Sequence, residues 1–235
     1  MEPFNWLAQP KFSADDVRGI ALGAYYQVME WRSRNAETHC DDLDYRKAKF
    51  ANRRDLKRAW SLTGPDDAMQ AMVALLEGMH SPDFDEVLSL VAGFRRDAPG
   101  VQQELLHRLA ADHGPAVVQA AAETLTALAR PGAPETLPSS TYAWDLARMA
   151  MLARRTVAVG WFAPQDVLGL LHEGVARSRQ RFGGWQEYAA SFALGRALWT
   201  ADEGPAEIDE SFELTRMADH VLFTDQASPW LRLPW

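Results

Sequence analysis

Apolar residues recur along the chain at intervals of three and four, and no strictly alternating run is bounded by turns. That period is helical. Ser13 with Asp16 forms a capping-box pattern and opens a helix whose stripe is Val17, Ile20, Ala21, Ala24, Val28 and Trp31. After the polar break "NAETHCDDLD", a basic helix runs to Trp60 with Leu56, Ala59 and Trp60 as its buried edge. Thr63 with Asp66, and Pro65 in the first turn, start a helix that shows Met69, Met72, Val73 and Leu76 and stops near Gly78. Ser81 as cap and Pro82 as first helical residue open the next one, with acids on the positive end of its dipole. "GVQQELLHRLAADHG" and "PAVVQAAAETLTALAR" each predict a helix, and "PGAPETLPSS" (131–140) interrupts the pattern. Beyond it the spacing predicts helices at 141–158, from Pro164 to Phe182, from Trp185 to Trp199 and at 208–220. The tail "SPWLRLPW" is too rich in Pro and Trp for a helix and too apolar to stay loose, so it is expected to pack back on the body.

The implied class is all-α, a single multi-helix bundle of about eight to ten helices without a sheet. One domain over 1–235 is expected, with the 131–140 linker as a sub-boundary candidate.

The segment "SSTYAWDLARMAMLARR" departs from a surface helix. At 100° per residue, Tyr142, Leu146, Met149, Ala153 and Val157 share one face, while Trp144 and Met151 lie opposite. A helix apolar on both sides is central, so its charges Asp145, Arg148 and Arg155 need partners on neighbouring helices. The helix beginning at Trp185 offers one, because Arg196 lies on a stripe with Trp185, Tyr188, Phe192 and Trp199. The expectation is a bidentate Asp145–Arg196 pair, with Glu187 the partner of Arg148 or Arg155.

Composition changes little in this picture. The chain has 235 residues, 47% of them apolar, enough for a core without a disulfide or metal staple. Its one cysteine, Cys40, suits a reducing compartment. No secretory leader pattern and no run of 18 apolar residues is present, so a soluble cytoplasmic protein is expected. The net charge of −8 opposes general affinity for nucleic acid or anionic membrane. Charge is unevenly placed: Arg46, Lys47, Lys49, Arg53, Arg54, Lys57 and Arg58 crowd one stretch, and six acids stand between Asp202 and Glu213. The two stretches are solvated faces, attract each other, or, for the basic one, touch nucleic acid locally.

No phosphate-binding glycine loop, dinucleotide fingerprint, serine-hydrolase elbow or zinc-protease motif occurs. Nothing calls for a cofactor. Glu77 with His80 and Glu104 with His107 repeat the Glu-x-x-His half-site of di-iron bundles, but a full site needs two more glutamates. The nine tryptophans read mostly as core, with Trp230 and Trp235 as a candidate exposed anchor for a partner.

Trp144, Asp145, Arg148, Leu152, Ala153, Arg154, Gly160, Trp185, Tyr188, Gly195 and Arg196 follow the pattern Trp-Asp-x-x-Arg, Leu-Ala-Arg, a Gly-led turn, then Trp-x-x-Tyr before a Gly-Arg pair. With "LKRAWSLTGPDDAMQAMVALLEGMH" and the closing "SPWLRLPW", this segment resembles the bacterial family known as domain of unknown function 1266, over most of residues 15 to 235. Gly184 stands where that family usually has Ser, and Met79 is inserted between Gly78 and His80. The resemblance implies fold and kinship and no activity. The sequence leans away from an enzyme and toward a protein-interaction module, including one that neutralises a basic toxin or effector. The alternative is an enzyme, or an anion binder, with a pocket around Asp145, Arg148, Glu187 and Arg196.

Overall fold

The computed structural model describes residues 4–34, 39–43 and 49–235. They form helices α1 (Ala14–Ala21), α2 (Ala24–Arg34), α3 (Lys49–Trp60), α4 (Pro65–Leu76), α5 (Ser81–Val91), α6 (Pro99–Asp112), α7 (Pro115–Leu128), α8 (Ala143–Val159), α9 (Pro164–Arg181), α10 (Trp185–Trp199), α11 (Pro205–Thr224) and the single turn α12 (Pro229–Arg232). Among the described residues there is no strand, only an isolated bridge between Asn5 and His39. The fold is all-α.

Helix α8 is central. Every residue from Ala143 to Ala153 is buried, as are Thr156 to Val159, and α1, α2, α3, α4, α9 and α10 all pack on it. Its ends are set from outside and by a glycine. Ser191 on α10 accepts the Ala143 N–H (3.1 Å), and Gly160, at φ +82, closes the C-terminus in the left-handed conformation. Gly195 lets α10 approach: a Cβ there would lie 2.6 Å from the Trp144 Cβ.

The stripe that predicts one helix from Ser13 is broken at Leu22 and Gly23, giving α1 and α2. A Cβ on Gly23 would meet the Ala150 Cβ at 3.2 Å, so the chain passes close against α8 there. The break frees carbonyls that need donors in the core. The Trp230 indole supplies one to Ala21 (2.9 Å) and the Tyr188 hydroxyl one to Leu22 (2.9 Å).

Two apolar cores result. The larger surrounds α8 and is rich in rings: Tyr25 stacks on Phe192 at 3.8 Å, and Trp185 on Trp230 at 4.8 Å. The smaller is aliphatic, drawn from Val87, Leu88 and Val91 on α5, Leu105 and Leu109 on α6 and Leu125 on α7, and it shares α10 and α11 with its neighbour through Leu194, Ile208 and Phe212. The 131–140 segment is bonded on both sides, Arg95 donating to the Pro134 carbonyl (3.0 Å) and Asp85 accepting from Ser140 (2.5 Å) and from the Thr141 N–H (2.7 Å).

The tail does pack back, and it includes the short helix α12, capped by Ser228, where none is expected. Trp185 donates to the Leu233 carbonyl (3.1 Å) and Trp235 to that of Phe182 (3.0 Å). No helix among the described residues is long and apolar enough to cross a membrane.

Candidate functional site

Helix α4 ends at Leu76, Gly78 turns at φ +88, and α5 begins at Ser81 with Pro82 in its first turn. His80 holds the cap position and makes no capping bond with its own helix, and Ser81 is the first helical residue, so the cap is not the Ser81 hydroxyl. Asp145 supplies it. One carboxylate oxygen accepts the backbone N–H groups of His80 (3.0 Å) and Ser81 (2.9 Å), and the other accepts the His80 ring N–H at Nδ1 (2.8 Å). Asp145 is fully buried, and these three donors supply what a buried carboxylate needs.

The expected Asp145–Arg196 pair is therefore not formed. The carboxylate is taken by the start of α5, and the Arg196 guanidinium instead stands over the Trp144 ring at 5.8 Å. Glu187 is no partner of Arg148 or Arg155 either. It caps its own helix, accepting the Gly183 N–H (2.8 Å) and the Ser139 hydroxyl (3.3 Å). Arg155 pairs with Glu30 on α2, and Arg154 donates to the His39 carbonyl (3.2 Å).

Arg148 lies in an aromatic box. Its guanidinium is 4.4 Å from the centre of Trp60, 4.8 Å from Trp199 and 5.1 Å from Trp144, and only 8% of the residue is exposed. One of its terminal nitrogens is 3.1 Å from His80 Nδ1 and 3.4 Å from Nε2. Since Nδ1–H donates to Asp145, Nε2 is the atom left to accept from Arg148. Burial lowers the Arg148 pKa, with nearby Tyr26 and Asp145 acting in the opposite direction.

Beside this group opens a cleft of about 360 Å³, lined by His80, Asp83, Phe84, Glu123, Leu198, Trp199, Asp202 and Glu203. No basic side chain apart from His80 lines it, and among the described residues none of its four acids is in a salt bridge. Trp199, at 45% exposure, and the half-buried Phe84 give it an aromatic wall, and His80 meets the Trp199 ring edge-on at 4.8 Å.

The family described as Protein of unknown function (DUF1266) matches residues 55–235. The chain belongs to that family. The match begins at Asp55, later than the resemblance from residue 15, and the DUF1266 segment spans His80, Asp145, Arg148, Arg196 and Trp199 of this chain. No curated protein and no solved structure matches the chain.

The other predicted residues fall elsewhere. Glu77 pairs with Arg177 (3.0 Å), Glu104 is exposed, and the exposed His107 bonds to Gln103 (3.3 Å), so the two Glu-x-x-His halves do not converge. Among the described residues no group of three or more His, Cys, Asp or Glu is placed to hold a metal ion. Trp230 is not an exposed anchor: it is 3% exposed, with its indole N–H spent on Ala21. Trp235 is half-buried against Trp185.

On α3, Lys49, Arg53, Arg54, Lys57 and Arg58 are exposed, whereas Arg46 and Lys47 lie outside the described residues. Ala59 is exposed too, because the inward face runs through Asn52 and Leu56. Asp209 of the acidic stretch pairs with Arg130 on the neighbouring turn (Nε to carboxylate 2.6 Å), and no salt bridge joins that stretch to α3 among the described residues. Cys40 is buried, its thiol pushed up to about 12 by burial, which opposes a nucleophilic role.

Sequence reasoning missed His80 as the partner of Asp145, and Trp60 and Trp199 as walls of the Arg148 box. A signal was available. A helix opening "HSPDF" after a glycine turn needs an acceptor for its first N–H groups, and a central helix with a lone carboxylate in its first turn offers one.

Proposed function

We propose that the chain is a protein-interaction module whose acidic, aromatic cleft receives a cationic side chain from a basic protein partner. The observation that carries this is the cleft itself: Asp83, Glu123, Asp202 and Glu203 around Trp199 and Phe84, with no salt bridge to neutralise them among the described residues. Aromatic faces and carboxylates not engaged with a cation attract a guanidinium or ammonium together, and the net charge of −8 speeds the encounter. A basic toxin or effector is a partner of that chemistry.

The enzyme reading gains less support. Asp145 is sealed and spent on capping α5, and His80 has one ring nitrogen on Asp145 and the other beside Arg148, so it lacks the free nitrogen a general base needs.

The test is a titration of Trp fluorescence with a deca-arginine peptide at low salt, with deca-glutamate as control. Deca-arginine is expected to bind, to weaken steeply with salt and to lose at least tenfold in affinity in Trp199→Ala and in Asp202→Asn/Glu203→Gln. Equal binding of both peptides, or unchanged affinity in these variants, would contradict the proposal. Capture from nuclease-treated extracts by the wild type and not by Trp199→Ala would then name the partner.

A further inference from the structure

Three guanidiniums gather near Tyr26, and two of them lie over the Trp144 ring. Arg148, Arg155 and Arg196 all act on the Tyr26 phenol, and Asp145 is the carboxylate that acts on it. Glu30 neutralises Arg155, and Asp145 stands in the field of Arg148 while bonded to His80. Arg196 has no carboxylate and no hydrogen-bond acceptor among the described residues; its Nε is buried without a partner. The Trp144 indole N–H, in the ring that both Arg148 and Arg196 overlie, is buried and unpartnered as well.

A buried guanidinium Nε and a buried indole N–H, both without acceptors, are costly, and proteins keep such groups where something fills them. Two of the donors are planar guanidiniums and the third is a neutral indole N–H, a set that suits an oxygen anion; an apolar ligand would leave them as unsatisfied as before. Arg196 and Tyr26 retain partial exposure, so the group is reachable from solvent. We infer that Arg196, Arg148 and the Trp144 N–H form a binding site for a small oxyanion, a carboxylate or a phosphate. This site is opposite in sign to the acidic cleft and adjoins it through Arg148, which contacts His80 and Trp199 of the cleft lining. Burial pushes the Tyr26 phenol up to about 12 despite the three guanidiniums around it, so it faces the anion as a neutral hydroxyl.

The experiment follows thermal unfolding and the Trp144 indole N–H resonance while inorganic phosphate or acetate replaces chloride at constant ionic strength. At ten times its dissociation constant the bound anion is expected to raise Tm by roughly 3–5 °C and to move the Trp144 resonance. Arg196→Gln is expected to fold, to match or exceed the wild-type Tm in chloride, and to lose the anion response. Arg196→Lys keeps the charge but removes Nε, and is expected to bind at least about threefold more weakly. A response to phosphate alone, to acetate alone or to both identifies which oxyanion the site accepts. No response to either, or an undiminished response in Arg196→Gln, overturns the inference.

Discussion

Around α8 the core is built from rings and from polar groups bonded across helices far apart in sequence, whereas the core among α5, α6 and α7 is built from aliphatic side chains. In the first, Asp145 reaches His80 and Ser81, Trp230 reaches Ala21, and Tyr188 reaches Leu22. In the second, the long-range polar bonds are only partly buried and lie beside the aliphatic side chains: Asp85 with Ser140 and Thr141, Arg95 with the Pro134 carbonyl and Arg130 with Asp209. Apolar burial is tolerant of substitution so long as volume is kept, but a directional bond between distant elements fixes a single arrangement. The face that positions the cleft and Arg196 is therefore the one whose geometry is most constrained.

The largest expected effect comes from breaking that constraint. Asp145→Ala leaves the buried Arg148 and the start of α5 without their carboxylate, and is expected to cost about 3–5 kcal/mol in urea unfolding. Leu109→Ala in the aliphatic core is expected to cost about 2–3 kcal/mol, near the low end for such truncations because Leu109 lies close to the surface. The comparison sharpens if Leu109→Ala leaves deca-arginine affinity unchanged while Asp145→Ala abolishes it. It breaks if the two variants lose binding alike.

A third test uses pH. Asp219, on α11, accepts from the Tyr25 hydroxyl within the aromatic core, and burial raises its pKa to about 6 despite that bond. The folded pKa lies above the unfolded one, so the stabilising contribution is full below about pH 4 and is lost as pH rises through about 6. Asp219→Asn is expected to remove this dependence and to be more stable than wild type at pH 7, by on the order of 2 kcal/mol, as read from urea unfolding across pH 4 to 7. The smallest effect is expected from Gly195→Ala. The added Cβ would meet the Trp144 Cβ and lie 3.1 Å from the Thr141 carbonyl, so overpacking should exceed the helix-propensity gain by about 1 kcal/mol, with a shift in Trp144 fluorescence as its marker.

The same contrast explains what was legible in the sequence. The helices of the aliphatic core follow from period, proline starts and glycine stops, because those signals are local. So does the central position of α8, whose two apolar faces are written in its own residues. The partners of its charges are not, since a carboxylate at 145 is equally compatible with an arginine at 196 and with a helix start at 81 until the packing is known. The stripe on α10 marks Arg196 as a charge among rings, but what it meets is the Trp144 ring of α8, and among the described residues no acid pairs with it. The break at Gly23 was hidden for a similar reason: α1 and α2 share one stripe, and the close passage against Ala150 is a property of a different helix.

The central claim is that Asp145 holds the start of α5 and, with it, His80 in the lining of the cleft. Amide hydrogen exchange at His80 and Ser81 tests it most directly, by comparing wild type with Asp145→Asn, which retains a single, weaker acceptor oxygen. The account predicts that both amides are protected in the wild type and exchange at least about tenfold faster in the variant, while amides in α6 keep their rates. Fast exchange at both positions in the wild type, or equal rates in the two proteins, would contradict it.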